Sequence, residues 1–287
     1  MHVMKYLLLI IVLFFTSVQN HAQDDNKIYL IVRADDMASF HDANVACIKA
    51  CKEGIARSIE IMVPCAWFPE AVKMLNENHF IDVGIHLLLT SEWEGIKWRP
   101  LTDAPSLVDK DGNFFQQIWG GNNPSADNYL LNAHWKIEEI EKELRAQIEL
   151  AMKNISQISH LSAHMGFSNM DPRVKELFEK LAREYKLRTE NIPGIKYLNG
   201  WDEDKSVNEK TDQFISNIKN LLPGKYVFID HPGLNNSEMH AAIFAQNNTL
   251  ATDRQTVTDI FTNEKVKKAL QDKGVRLISY ADLFKKN

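Results

Sequence analysis

Apolar runs alternate with amphipathic stretches along most of this chain. KIYLIVRA (27–34) is rich in β-branched residues and bounded by polar ones, which predicts a strand. RSIEIMV (57–63), IDVGIHLLL (81–89), ISHLSAH (158–164), KYVFID (225–230) and VRLISY (275–280) predict five more, with a short one at 186–190. Helical patterns lie between them, at 42–53 (closed by Gly54), 69–78, 135–154, 211–222 and 255–272. Asp171-Pro172 opens a further helix, with proline at its first position. The segment 90–133 has no clear period. Strands alternating with helices point to βαβ units and a parallel sheet. No GxGxxG or GxxxxGK[ST] is present among only 12 glycines, so a dinucleotide-binding fold lacks its marker. The expected fold is α/β: a single TIM-like (β/α) barrel, complete or else incomplete and distorted. The segment 90–133 then forms a long βα loop over the active face.

The first residues stand apart from this pattern. Lys5 precedes ten apolar residues (6–15), and a polar stretch with small residues follows, ending near Ala22. This is the three-part pattern of a secretory signal peptide, and the apolar run is shorter than the ~20 residues of a membrane span. The expected plan is a signal peptide at 1–22 and one barrel domain at 23–287. Such a protein is secreted or periplasmic and has no membrane attachment after cleavage.

Composition narrows the chemistry. Hydrophobic residues make up 45% and charged residues 25%, which suits a globular chain and excludes disorder. A net charge of −5 leaves no dominant basic surface, so no nucleic-acid partner is expected. The three cysteines (Cys47, Cys51, Cys65) form neither a disulfide framework nor a zinc knuckle, and they read as small buried hydrophobes. Ten histidines direct attention to imidazole and carboxylate chemistry.

In β/α barrels the chemistry sits at the C-terminal ends of strands. Here the first strand ends in Asp35-Asp36, the third in His86, the fourth in His164 and a later one in Asp230-His231. Two histidines and one carboxylate make a three-ligand metal site with a position left for water. A second carboxylate can serve as general base, and a further histidine can protonate a leaving amine. The set describes metal-assisted hydrolysis of an amide or ester. Side chains alternate along a strand, so Asp35 and Asp36 reach one centre only where the chain leaves the pleat.

Several motifs together resemble the YdjC-like carbohydrate deacetylases, a family that includes chitooligosaccharide deacetylases and hopanoid-associated relatives. They are ADD (34–36), GIHL (84–87), PSLVDKDGNF (105–114), the His164 segment, DHPG (230–233) and VRLISYADL (275–283). The resemblance spans essentially the whole chain after residue 22. It implies a β/α barrel, one divalent metal ion (zinc or magnesium) and removal of acetyl from an N-acetylated mono- or oligosaccharide. Carried over by position, Asp36, His86 and His164 are the implied metal ligands and Asp35 the general base. His231 is the implied general acid, and Arg254 is expected to help hold the acidic site and contact substrate. The chain also departs from the family. Arg33 stands where asparagine is common, Ser162-Ala163 precede His164 in place of Asp-Ser, and a later histidine is lost around Phe167 and Ser168. The contacts that orient His164 must therefore differ.

Four of six tryptophans (Trp93, Trp98, Trp119, Trp135) fall within or beside the long loop. Two readings stay open for them: a platform for sugar rings, with Trp93, Trp98 and Trp119 as substrate-side candidates, or anchors of the loop on the barrel. The Glu/Lys pattern of 136–149 reads as a solvated helix face. Among rival functions, a non-catalytic periplasmic glycan-binding protein keeps the barrel and drops the metal. A glycoside hydrolase ranks last, because adjacent Asp35 and Asp36 do not flank a glycosidic bond. A homodimer is compatible with the sequence.

Overall fold

Strand alternation sorts the sheet into an oily face and a polar one. In β1 (Ile28–Met37), Leu30, Val32 and Ala34 join the large core beneath the helices, while Ile31 belongs to a small separate cluster with Val227 and Tyr280. Arg33 and Asp35 share the parity of Ile31, so they point into the barrel. The computed structural model describes residues 26–120, 129–242 and 249–284. The segment read as a signal peptide lies outside them.

The remaining strands are β2 (Ser58–Ile61), β3 (Asp82–Leu87), β4 (Ile158–Ala163), β5 (Arg188–Thr189), β6 (Lys196–Tyr197), β7 (Gly224–Asp230) and β8 (Val275–Leu277). All pair in parallel, in the order β5-β4-β3-β2-β1-β7-β6, and β8 joins β1 along Ile28–Leu30. β7 covers one edge of β1 along Ile28–Ala34, so β8 and β2 share the other edge, at its start and its end. β5 and β6 lie at opposite ends of this path, yet only 190–195 separate them in sequence. Seven flat strands would hold the two edges ~29 Å apart, whereas that link spans at most ~25 Å. The sheet therefore curls, and the result is a partial TIM-like barrel, open between β5 and β6.

Helices α1 (His41–Lys52), α2 (Phe68–Asn76), α3 (Ile137–Asn154), α4 (Pro172–Glu184) and α5 (Val207–Lys219) follow the expected pattern. α5 begins four residues earlier than its apolar period, because Ser206 and Glu209 form a capping box. After the short α6 (Ser237–His240), the single helix expected at 255–272 is two: α7 (Leu250–Thr262) and α8 (Glu264–Lys273). Asn263 breaks the pattern with an extended backbone and caps the Lys265 N–H. The last strand stops at Leu277, and Tyr280 starts α9 (Tyr280–Phe284). Tyr280 closes the lower end of the barrel, where its ring stacks 4.1 Å from that of His160.

The solvated face expected for 136–149 is only partly so. Glu143 accepts hydrogen bonds from the backbone N–H groups of Leu101 and Thr102, Glu139 from that of Ser106, and Gln147 bonds both N–H and C=O of Leu88. These side chains supply the backbone partners that an aperiodic loop lacks, and so pin it to the barrel. Cys47, Cys51 and Cys65 are free and buried, as expected. Among the described residues no helix is long and apolar enough to cross a membrane.

Candidate active site

The Asp-Asp pair reaches one centre because β1 breaks its pleat there. Asp36 has φ 66° and Ala38 φ 81°, both in the left-handed region that non-glycine residues avoid. Holding such a residue costs about 1–3 kcal/mol, a strain that clusters at functional sites. Asp35 and Asp36 are both buried beside His86.

Three strand ends then converge. Asp36 Oδ1 lies 3.6 Å from His86 Nε2 and 3.5 Å from His164 Nδ1, and the two nitrogens are 3.2 Å apart. Ligand atoms ~2.1 Å from a tetrahedral ion stand ~3.4 Å from one another. Asp36 Oδ1 is buried and has no hydrogen-bond partner among the described residues, which fits an atom reserved for a ligand. Asp36, His86 and His164 can thus hold a divalent metal ion.

The surrounding charges act differently on the three groups. Burial resists ionisation of Asp36, but His231, Arg254 and His164 outweigh it and hold its carboxyl well below the usual carboxylate range. Burial and the neighbouring His164 keep His86 well below an ordinary imidazole, so it offers a lone pair. Burial also opposes a proton on His164, yet Glu92 and Asp36 push its pKa up to about 10. Arg254, from α7, donates to the other oxygen of Asp36 at 2.6 Å. It thus lies on the acidic site itself, and it also lines a cleft beside His231.

Asp35 is held differently. Arg33 donates to both of its oxygens, at 2.7 Å each, and reaches Glu190 with its remaining nitrogen at 2.6 Å. His231 lies across the site, its side chain partly exposed, with Nε2 3.9 Å from Asp36 Oδ2. Burial works against a proton there, but Asp36 and Asp230 overcome it and raise the pKa. A family model described as YdjC-like protein matches residues 29–272. The chain belongs to the YdjC-like protein family. Its relatives include a carbohydrate deacetylase 2 of Listeria innocua, 26% identical over 90% of this chain and 99% of that protein. A chitooligosaccharide deacetylase of Yersinia enterocolitica is 27% identical over 88% of this chain and 98% of its own. Among solved structures, a provisionally named cellobiose-phosphate cleavage protein of Enterococcus faecalis superposes with a TM-score of 0.70, at 21% identity. It covers 90% of this chain and 99% of that one, and the two share a fold.

The structure divides the loop tryptophans. Trp93 and Trp98 are 2% and 4% exposed, so the expectation that they contact substrate is corrected: they anchor the loop. Trp93 packs between Phe40 and Trp98, and Trp98 Nε1 donates to the Thr90 carbonyl. An aperiodic loop needs its own apolar core, and these two rings supply it. Trp119 is 43% exposed and donates to the carbonyl of Met165, next to His164, so its ring remains open. The position near the lost histidine is filled by Phe167, buried against Phe178.

Several residues of the site had no assigned role in the sequence. Trp201 and Glu203 line a cleft of about 160 Å³ with Asp230, His231 and Arg254. Glu92 Oε2 accepts from His164 Nε2 at 3.1 Å, and Ser162 Oγ contacts His86 Nδ1 at 2.7 Å. Glu60 is fully buried inside the barrel between Ser162 and His160. A charge interrupting the apolar run RSIEIMV was a readable signal for Glu60; nothing marked Glu92 among its loop neighbours.

Proposed function

We propose that this protein is a metal-dependent carbohydrate deacetylase that removes acetyl from an N-acetylated saccharide. The observation carrying the reading is the meeting of Asp36 Oδ1, His86 Nε2 and His164 Nδ1, with Asp35 and His231 beside them. The deacetylases among its relatives support the substrate class. A divalent ion held by the three ligands would acidify a water and polarise the acetamide carbonyl.

The protein's own groups supply the rest. Asp35 takes a proton from the water as its oxygen bonds the acyl carbon, and Arg33 fixes the aim of that carboxylate. Each Asp35 oxygen keeps a lone pair beyond the one Arg33 uses. His231 gives its proton to the nitrogen as the C–N bond breaks, leaving acetate and a free amine. Asp36 and Asp230 favour the protonated ring against its burial, which suits a proton donor. The face of Trp119 and the cleft at Trp201 would receive the sugar. The N-terminal sequence pattern supports export to the periplasm or beyond.

The test is acetate release from N-acetylated mono- and oligosaccharides by the purified protein. EDTA should abolish it and zinc or magnesium should restore it. No acetate from any acetylated sugar, with glycan binding retained, would replace this reading with a binding protein.

A further inference from the structure

We infer that two buried carboxylates set the orientation of the metal-site histidines: Glu92 holds His164 directly, and Glu60 holds His86 through the Ser162 hydroxyl. The inference rests on the metal reading above and deepens it.

The register of three strands creates the second contact. Glu60 on β2 stands opposite Gly84 on β3, and Gly84 stands opposite His160 on β4. A Cβ at Gly84 would lie within 2.6 Å of three Glu60 carboxyl atoms. With no side chain there, Glu60 reaches across β3. One oxygen accepts from His160 Nε2 at 2.7 Å and the other from Ser162 Oγ. Ser162 in turn stands opposite His86, whose Nδ1 is 2.7 Å from the hydroxyl.

The proton directions follow from the donor inventory. A serine hydroxyl has one proton, and an ionised carboxylate only accepts. Burial opposes the charge on Glu60, but His160 and Arg33 outweigh it and keep the carboxyl below its usual range. The Ser162 proton therefore points at Glu60, and Ser162 Oγ accepts from His86 Nδ1–H. This leaves the His86 Nε2 lone pair facing Asp36. Glu92 does the opposite for His164: it accepts from Nε2–H at 3.1 Å and leaves Nδ1 facing Asp36. The two rings meet the same centre through different nitrogens, and each has a buried carboxylate behind it. Glu60, Ser162 and Glu92 are positioning residues, since they act through the histidines.

The experiment measures Zn²⁺ affinity of the full chain by competition with a chromogenic chelator, with circular dichroism to verify folding. Ser162→Ala and Glu92→Gln should each weaken Zn²⁺ binding about 10–100-fold. Ser162→Thr, which keeps the hydroxyl, should restore it. Glu60→Gln should weaken it in the wild-type background and add nothing to Ser162→Ala, because the relay is already cut. Wild-type affinity in Ser162→Ala and Glu92→Gln, or additive losses in the Ser162/Glu60 pair, would overturn the inference. Should Glu60→Gln not fold, histidine-ring NMR of the zinc-loaded protein decides. His86 should carry its proton on Nδ1 and His164 on Nε2; any other pairing overturns the relay. A wild-type chain that binds no Zn²⁺ defeats the metal reading itself, whereas wild-type binding with unaltered variants defeats only the relay.

Discussion

Arg254 and Asp36 lie 218 positions apart and share a 2.6 Å ion pair in which Arg254 takes Asp36 Oδ2 and leaves Oδ1 turned to the two histidines. Removing one member of a buried pair leaves the other charge uncompensated, at about 3–5 kcal/mol. Arg254→Met should therefore lower the thermal midpoint, and a bound cation should offset part of the loss. Unfolding with and without zinc checks this: the drop should be larger in the metal-free protein. Equal drops would mean that Arg254 does not neutralise Asp36.

Asp35 and His86 should fail in different ways. General-base removal in Asp35→Asn should lower kcat by roughly 10²–10⁴ with metal content unchanged. His86→Ala should lose metal and acetate release together while the fold persists. Metal analysis beside steady-state kinetics separates the two. Undiminished acetate release by His86→Ala would sink the ligand assignment.

The tryptophans should divide as their exposure does. Trp119→Ala should raise KM and leave kcat and stability nearly unchanged, as expected of a ring that binds substrate and transition state alike. Trp93→Ala, which empties a buried site, should cost about 3–5 kcal/mol of stability. Denaturant melts and saccharide kinetics test both; a stable Trp93→Ala would contradict the anchoring role.

The Glu60–His160 pair should shape stability against pH. Burial opposes a charge on His160, but Glu60 and Asp82 raise its pKa. Its contribution is then complete below the unfolded value of ~6.5 and declines as pH rises through the higher folded value. Glu60 is shifted the other way, so its contribution is complete above ~4.3 and is lost as pH falls through the lower folded value. His160→Gln should flatten the alkaline decline, measured as unfolding free energy across pH. A decline that survives the substitution would assign the effect elsewhere.

Much of the scaffold was legible along the chain, because period and end signals are local. β1, β3, β4 and β7 appear where apolar runs predicted them, and polar residues at their C-terminal ends lie close together. The misses have local causes too. Asn263 divides a long amphipathic pattern that continues on both sides of it, and the capping box at Ser206 starts α5 before its first apolar turn.

The residues of this protein, read alone, determined which strands end in ionisable side chains and which side-chain types meet: carboxylate, imidazole and a second carboxylate. Only the tertiary structure decided how they face one another. Asp36 turns inward because its backbone takes a left-handed φ, which no hydrophobic pattern encodes. Glu60 serves His86 because parallel register sets it opposite a glycine and within reach of Ser162, 102 positions on. Trp93 and Trp119 differ only in burial, which depends on what the loop folds against. Periodicity follows from neighbouring residues, whereas register, curl and burial arise from contacts between distant ones.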